Sequence, residues 1–141
     1  MPKFLSDEWA QAYKEEMNQS RAFEEANRTW VGDFLFVIEP EPDSPIKQKV
    51  YVYVDVSRGK CHECYVTRDA GDKKAKFMIS APYSVWHKYF YGRLHLVVAV
   101  ATRQFKVEGN MVELLRNVKA GQEFFECGVR VSARFPDPPD A

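Results

Sequence analysis

The sequence has few cysteines, no long hydrophobic run and no excess of either charge. Its three cysteines are an odd number with no secretory signal before them, so we expect no disulfide framework and a reducing, cytoplasmic location. The longest apolar runs, residues 34–38 and 96–101, are too short to cross a bilayer. The 20 basic and 20 acidic side chains cancel, which argues against nucleic-acid binding and against stable anchoring to anionic membranes.

Catalytic and nucleotide-binding motifs are also missing. Neither the GxGxxG nor the GxxxxGK(S/T) pattern occurs, so nucleotide phosphates have no loop to bind. No Ser, Cys or paired carboxylate stands at a recognised motif spacing from His87 or His95. We therefore expect a non-catalytic protein without a cofactor, with His87 on a helix surface and His95 partly buried.

Aromatic side chains, in contrast, are plentiful. The 141 residues are 45% hydrophobic and include 10 Phe, 7 Tyr and 3 Trp. A chain of this length buries roughly two-thirds of its unfolded surface, so it forms a core without a metal or a disulfide. We expect one domain over residues 1–135, followed by a disordered, proline-rich tail over residues 136–141.

The first half of the chain predicts a helix followed by strands. Trp9, Tyr13 and Met17 lie at helical spacing, and the helix breaks or restarts at residues 18–20. Four strands follow from residue 30, the clearest at residues 50–56, where four valines share one face. Tight turns separate the later strands, so we expect consecutive hairpins in an antiparallel meander.

The second half returns to helices. Pro82 begins an aromatic helix that Gly92 ends, whereas the apolar run 94–101 fits either a short strand or a short helix. A fifth strand is predicted at residues 104–108, and a helix from Met111. The pattern from residue 121 onward is weak: Phe124 and Phe125 could extend the helix, and residues 129–135 could form an added strand or an extended arm. The order predicts an α+β fold, with an antiparallel-rich five-stranded sheet and helices packed on one face.

One tetrapeptide, Cys61-His62-Glu63-Cys64, has the spacing of a redox pair or half a zinc site. It falls on a predicted strand, where residues i and i+3 point to opposite faces, so the two thiols would not meet. No second CxxC or His pair accompanies it. We therefore favour an ordinary strand and expect no metal site.

Two short motifs in the second half resemble the sterol carrier protein 2 (SCP2) lipid-binding domain family. The first is the turn Gly92-Arg93-Leu94 after a helix, and the second is the edge strand at residues 105–108 that ends in Gly109-Asn110 before another helix. Their separation agrees with the family pattern. Just before the last strand the family often has a small residue or glycine, where this chain has Thr102-Arg103.

The remaining elements occur in the family's order, so the resemblance covers about residues 6–120. The resemblance implies that residues 94–102 form a short helix. It also implies a non-catalytic protein that binds or transfers a fatty acyl chain, a sterol-like molecule or another lipid in a hydrophobic tunnel. The tunnel would open near the Gly92 turn and the final helix.

The candidate ligand-binding side chains are the apolar ones of the later elements: Trp86, Phe90, Leu94, Val97, Val98, Phe105, Met111, Leu114 and Leu115. Such stripes are by themselves more often core packing, and the resemblance is what favours a tunnel. Arg93, Arg103 and Lys106 are weaker candidates for contact with a polar head group.

Other functions stay open at this point. The protein could be an acyl-CoA-presenting accessory protein, or a thiol-dependent enzyme of lipid metabolism that uses Cys61, Cys64 or Cys127. We expect a monomer or a homodimer, and in a homodimer the apolar surface would be the interface.

Overall fold

The computed structural model describes residues 3–71 and 73–135, and over these the chain forms helices and one sheet. The helices are α1 (Asp7–Gln19), α2 (Arg21–Ala26), α3 (Tyr83–Phe90), α4 (Leu96–Ala101), α5 (Met111–Arg116) and α6 (Val118–Ser132). The strands are β1 (Val31–Glu39), β2 (Val50–Ser57), β3 (Lys60–Thr67), β4 (Phe77–Pro82) and β5 (Lys106–Glu108). The predicted proline-rich tail, residues 136–141, lies outside the described residues.

The α+β class and the five strands are confirmed, but the sheet is mixed rather than the predicted antiparallel meander. Its strand order is β3-β2-β1-β4-β5, and β4 runs parallel to β1 while the other pairs are antiparallel. The chain therefore crosses from the β3 edge over two strands to reach β4. The turn predicted between β3 and β4 is part of this longer crossover.

The burial of β1 explains why it takes a partner on each side. Leu35 and Val37 are buried on one face of the strand, and Phe34, Phe36 and Ile38 are buried on the other. A strand buried on both faces belongs in the middle of a sheet, as strands of parallel sheets do. Had β4 paired with β3 instead, β1 would have been an edge strand with an unpaired backbone.

One face of the sheet carries the main core. Phe34, Phe36 and Ile38 of β1 pair with Val54, Val52 and Val50 of β2, and with Phe77, Ile79 and Ala81 of β4. All nine side chains belong to one buried cluster, which also contains the buried rings of the helices. The helices thus cover this face, as predicted.

The N-terminal helices form where the sequence predicts them. Ser6 caps α1 by accepting a hydrogen bond from the Trp9 amide (3.2 Å), and Ser20 caps α2 by accepting one from the Phe23 amide (3.1 Å). Two side chains of α1 bind α6: Trp9 Nε1 donates to Ser132 Oγ (3.1 Å), and Tyr13 Oη donates to the Phe124 carbonyl (3.0 Å).

Backbone conformation and close packing explain the glycines of the two motifs that resemble the SCP2 family. Gly92 has φ +77° and ends α3 with a hydrogen bond from the Arg93 amide to the Lys88 carbonyl (2.7 Å). Gly109 has φ +145°, and a Cβ there would lie 2.5 Å from Cδ1 of Phe77. Arg103, where the family often has a small residue, takes φ +61° without being glycine.

The two segments whose secondary structure the sequence leaves open both form helices. The run at residues 94–101 contains α4, as the resemblance implies, whereas the strand or arm considered for residues 129–135 is wrong because α6 continues to Ser132. Two glycines let α6 pack closely: a Cβ at Gly121 would lie 3.1 Å from Leu96 Cδ2, and one at Gly128 would lie 2.9 Å from Phe90 Cε1. No helix in the described residues is long and apolar enough to cross a membrane.

We predict that Gly128→Ala destabilises the protein although alanine favours helices. The new methyl group would meet the fully buried Phe90 ring and the Tyr13 hydroxyl, which lies 3.1 Å from the Cβ position. Overpacking of this kind costs about 1–3 kcal/mol, which exceeds the helix-propensity gain of roughly 1 kcal/mol. Urea unfolding measures the change.

Gly121→Ala on the same helix is the matched control. Among the described residues outside the backbone of α6 itself, one atom lies within 4 Å of its Cβ position, the end of the Leu96 side chain, which can move. We expect this variant to be as stable as the wild type or more stable. Equal stability of the two variants would contradict the assigned packing of Gly128.

Candidate functional site

A cavity of about 310 Å³ lies between the sheet and the later helices. One side is formed by α4, α5 and the first two turns of α6, and the other by the segment that joins α2 to β1, by Phe34 of β1 and by the end of β2. Among the described residues that line it, none is charged, and the polar ones are Asn27, His95, Asn117 and Gln122. Such a cavity suits an apolar molecule.

The floor of the cavity consists of aromatic rings. The Phe34 ring stacks on Trp30 (centroids 5.7 Å apart) and on Phe124 (5.4 Å), and Val56 of β2 lies beside them. These residues were not among the sequence-predicted candidates. Their strand periodicity marked them as buried, but their position under α4 and α5 depends on the order of the strands.

Four of the nine candidate residues line this cavity: Val97, Met111, Leu114 and Leu115. Trp86 and Phe105 line a smaller void of about 30 Å³ instead. Both spaces share the walls Phe34, Leu96, Leu114, Gly121 and Phe124. The two spaces therefore adjoin along one line of apolar side chains.

Three candidates, Phe90, Leu94 and Val98, line neither space. Phe90 is fully buried among other rings, with Trp9 at 5.0 Å and Tyr89 at 4.9 Å between centroids. Leu94 belongs to the buried cluster, and Val98 is 49% exposed. The residues of α4 that line the cavity are 96, 97, 100 and 101, a helical spacing that leaves Val98 outside it.

The aromatic helix α3 is mainly core rather than cavity wall. Trp86 Nε1 donates to the Val37 carbonyl (3.0 Å), and its ring lies 4.8 Å from Phe36 and 4.5 Å from Phe105. A buried indole needs such a hydrogen-bond acceptor, and the sheet supplies it. The concentration of rings in α3 thus fixes this helix on β1.

Exposed aliphatic side chains surround the cavity on α4, α5 and the start of α6. Val97 (46% exposed), Leu115 (58%) and Val118 (39%) line it, and Val98 and Val112 lie beside them on the surface. The residues of the Gly92 turn do not line the cavity. Arg93, Arg103 and Lys106 are exposed and also lie outside its walls.

The burial of His87 and His95 is the reverse of what the sequence predicted. His87, expected on a helix surface, is 7% exposed, and its ring lies 4.5 Å from that of Tyr91. His95, expected to be partly buried, is exposed and caps α4, where its Nδ1 accepts a hydrogen bond from the Val97 amide (3.2 Å). The capping role requires a position outside the helix, which explains the exposure.

The tetrapeptide at residues 61–64 also differs from the prediction. A β-bulge leaves His62 unpaired, so Cys61 pairs with Val56 and Cys64 pairs with Val54. The two thiols therefore share the buried face instead of pointing to opposite faces. Within the described residues, no group of three or more His, Cys, Asp or Glu side chains could hold a metal ion.

All three thiols are buried and free. Burial raises the pKa of Cys61 to about 12 and that of Cys127 to about 11, and it raises the pKa of Cys64 well above its usual range. The thiolate is the nucleophilic form of cysteine, so these side chains are poorly suited to nucleophilic chemistry at neutral pH.

We predict that the free energy of unfolding falls with rising pH above pH 9. An unfolded thiol ionises near 9.0, whereas folded Cys61 and Cys127 stay protonated to about 12 and 11. Above pH 9 the unfolded chain therefore binds fewer protons than the native one. The loss reaches about 1.4 kcal/mol per pH unit for each thiol once the unfolded thiol is fully ionised, and it is small below about pH 8.

Urea unfolding at pH 8 and at pH 10.5 measures this loss. The double variant Cys61→Ala/Cys127→Ala is the control, and we expect its stability to change less between the two pH values. A wild-type protein and a double variant with the same pH dependence would show that the thiols do not cause it.

The fold and the apolar cavity define a class of small α+β domains that enclose space for an apolar ligand. The family model described as the SCP-2 sterol transfer family matches residues 9–120, and the chain belongs to this family. The resemblance inferred from the two motifs is thereby confirmed. No curated protein sequence matches the chain.

Solved structures agree with the family assignment. A crystal structure of sterol carrier protein 2 is 26% identical, with a TM-score of 0.83, and the match covers 90% of this chain and 98% of that one. The solution structure of a conserved hypothetical protein from Thermus thermophilus is also 26% identical, with a TM-score of 0.82 and coverage of 97% and 92%.

An enzyme contains a similar fold. The inverting sec-alkylsulfatase Pisa1 from Pseudomonas sp. is 15% identical, with a TM-score of 0.51, and the match covers 86% of this chain but 16% of the enzyme. At this identity the likeness concerns the fold alone.

Proposed function

We propose that the protein binds an elongated apolar ligand, a fatty acyl chain, a sterol-like molecule or another lipid, and transfers it without catalysis. The observation that carries this proposal is the 310 Å³ cavity, whose described walls hold no charged side chain. Membership of the SCP-2 sterol transfer family supports it. The cavity is near the lower end of the volumes of ligand sites, about 300–1,000 Å³.

Burial of the ligand supplies the binding energy. Each methylene moved from water into such a cavity contributes about 0.8 kcal/mol. From the sequence-predicted candidates we assign ligand contact to Val97, Met111, Leu114 and Leu115, which line the cavity. Trp86 and Phe105 line the adjoining void, so a ligand that displaced the shared walls would contact them too and would occupy an elongated tunnel. Phe90, Leu94 and Val98 are no longer proposed as contacts.

The ligand enters, in this proposal, between α4 and α5 rather than at the Gly92 turn. The exposed side chains of Val97 and Leu115 stand at that edge of the cavity. They give an apolar ligand a surface to contact before it leaves water. Because α5 has no buried residue, its displacement exposes little additional apolar surface.

The two alternative functions, a thiol-dependent enzyme and an accessory protein, are not equally supported. A thiol-dependent enzyme is disfavoured by the burial and the raised pKa of Cys61, Cys64 and Cys127. An accessory role beside an enzyme, such as presentation of an acyl-CoA, is kept because the fold also occurs within a sulfatase. Three free thiols suit a reducing compartment, and we place the protein in the cytoplasm as a monomer or a homodimer.

We predict that Val97→Asp weakens ligand binding at least tenfold. Val97 lines the cavity, and a carboxylate there would lose its hydration when an apolar ligand fills the space. A tenfold change corresponds to about 1.4 kcal/mol. Titration with the neutral fluorescent dye Nile red, followed by displacement with decanol, measures the affinity.

Val98→Asp is the matched control. Val98 is the next residue of α4, it is exposed to nearly the same extent (49% against 46%), and it does not line the cavity. Both substitutions place an acidic residue in the first turn of α4, where it suits the helix dipole, so both variants should fold. Equal affinities in the two variants would refute the assigned binding site.

Native mass spectrometry of the purified protein, followed by lipid extraction, tests the proposal without mutation. We expect a bound lipid, or saturable uptake of one from solution. A protein that is reproducibly ligand-free and that binds neither Nile red nor a fluorescent fatty acid would contradict the carrier function.

A further inference from the structure

Asn27 is a buried polar residue in an apolar site. It follows α2, it is 4% exposed, and it lines the cavity beside Trp30, Phe34 and Val56. Asn27 is the C-cap residue of α2, and its backbone N–H donates to the Phe23 carbonyl (2.9 Å). A buried side-chain amide costs free energy unless its polar atoms have partners.

The orientation of the Asn27 amide follows from its one side-chain hydrogen bond. Nδ2 donates to the Phe23 carbonyl oxygen (3.1 Å), an atom that can only accept. If the amide were flipped, Oδ1 would face the Phe23 carbonyl oxygen, and two acceptors would lie against each other. Nδ2 is therefore the atom that faces Phe23, and Oδ1 is the atom that does not. In the described residues, Oδ1 accepts no hydrogen bond from backbone or side chain.

The other polar residues of the cavity wall are more exposed than Asn27. Asn117 and Gln122 are half-buried, and His95 is exposed and already caps α4. Asn27 is thus the most deeply buried polar group of the described wall. Its Oδ1, which has no hydrogen-bond partner among the described residues, is not a fully buried atom and keeps accessible surface where Asn27 lines the cavity.

We infer that Asn27 Oδ1 accepts a hydrogen bond from a hydroxyl group of the ligand, so that the site selects neutral apolar alcohols. This inference rests on the proposed function and narrows its ligand class. A hydroxyl donates to Oδ1, and its own oxygen can accept from the second N–H of Nδ2. An ether of the same chain offers no donor, so Oδ1 stays without a partner when an ether binds.

The lack of charged side chains among the described cavity walls also favours neutral alcohols as ligands. A carboxylate at this depth would have to give up its hydration, and no lysine or arginine lines the cavity among the described residues. A hydroxyl needs no such cation. Free fatty acids should therefore bind with the carboxylate outward at the mouth, without using Asn27, whereas alcohols bind with the hydroxyl inward.

The test compares decanol with its methyl ether as competitors of Nile red. We expect the ratio of the decanol affinity to the ether affinity to fall by roughly three- to tenfold in Asn27→Leu, the range of one hydrogen bond. Gln122→Leu makes the same kind of change at a half-buried position of the same cavity, and it should keep the wild-type ratio.

A second measurement uses the wild-type protein, in case Asn27→Leu fails to fold. The side-chain amide NMR signals of Asn27 should shift on addition of decanol and should shift much less with the ether or with decanoate. Equal shifts with all three ligands, or an unchanged affinity ratio in a folded Asn27→Leu, would overturn the inference while leaving the carrier function intact. A protein that binds none of the three would overturn both.

Discussion

The fold depends on covering one apolar face of a five-stranded sheet. That face presents three buried residues of β1, the four valines of β2 and three residues of β4, so a large apolar area would meet water if the helices left it. The helices that cover it come from both ends of the chain. Two hydrogen bonds from α1 to α6, made by Trp9 and Tyr13, hold these separate segments together.

The helices pack closely on one part of the sheet face and loosely on the other. Around Gly128 the helix α6 approaches Phe90 so closely that no side chain fits between them. Towards the other end of α6, the short helices α4 and α5 bury few side chains of their own, with Ala99 the one buried residue in α4. The same sheet face is therefore filled by aromatic rings beneath α3 and left partly unfilled beneath α4 and α5, and the cavity is the unfilled part.

The sequence predicted the elements better than their arrangement. Periodicity and capping identified Ser6, the valines of β2 and the helix from Met111, because these signals depend on neighbouring residues. Strand order depends on contacts between distant residues: Phe34 pairs with Phe77, and the chain itself does not show that the β3–β4 connection crosses the sheet. The bulge at His62 and the cavity floor at Trp30 were missed for the same reason, whereas the helical spacing of Met111 and Leu114 predicted the apolar face of α5, and both residues line the cavity.

The parallel pairing of β1 and β4 also sets an order of events as the chain is synthesised. The strands β1, β2 and β3 leave the ribosome as a local meander, with α1 already available to pack on β3. The face of β1 that α3 and α6 cover has no partner until the second half of the chain emerges. Phe34 and Phe36 stay uncovered until then, and a ribosome-bound chain that has emerged only as far as β3 would present to chaperones the same rings that later form and flank the cavity floor.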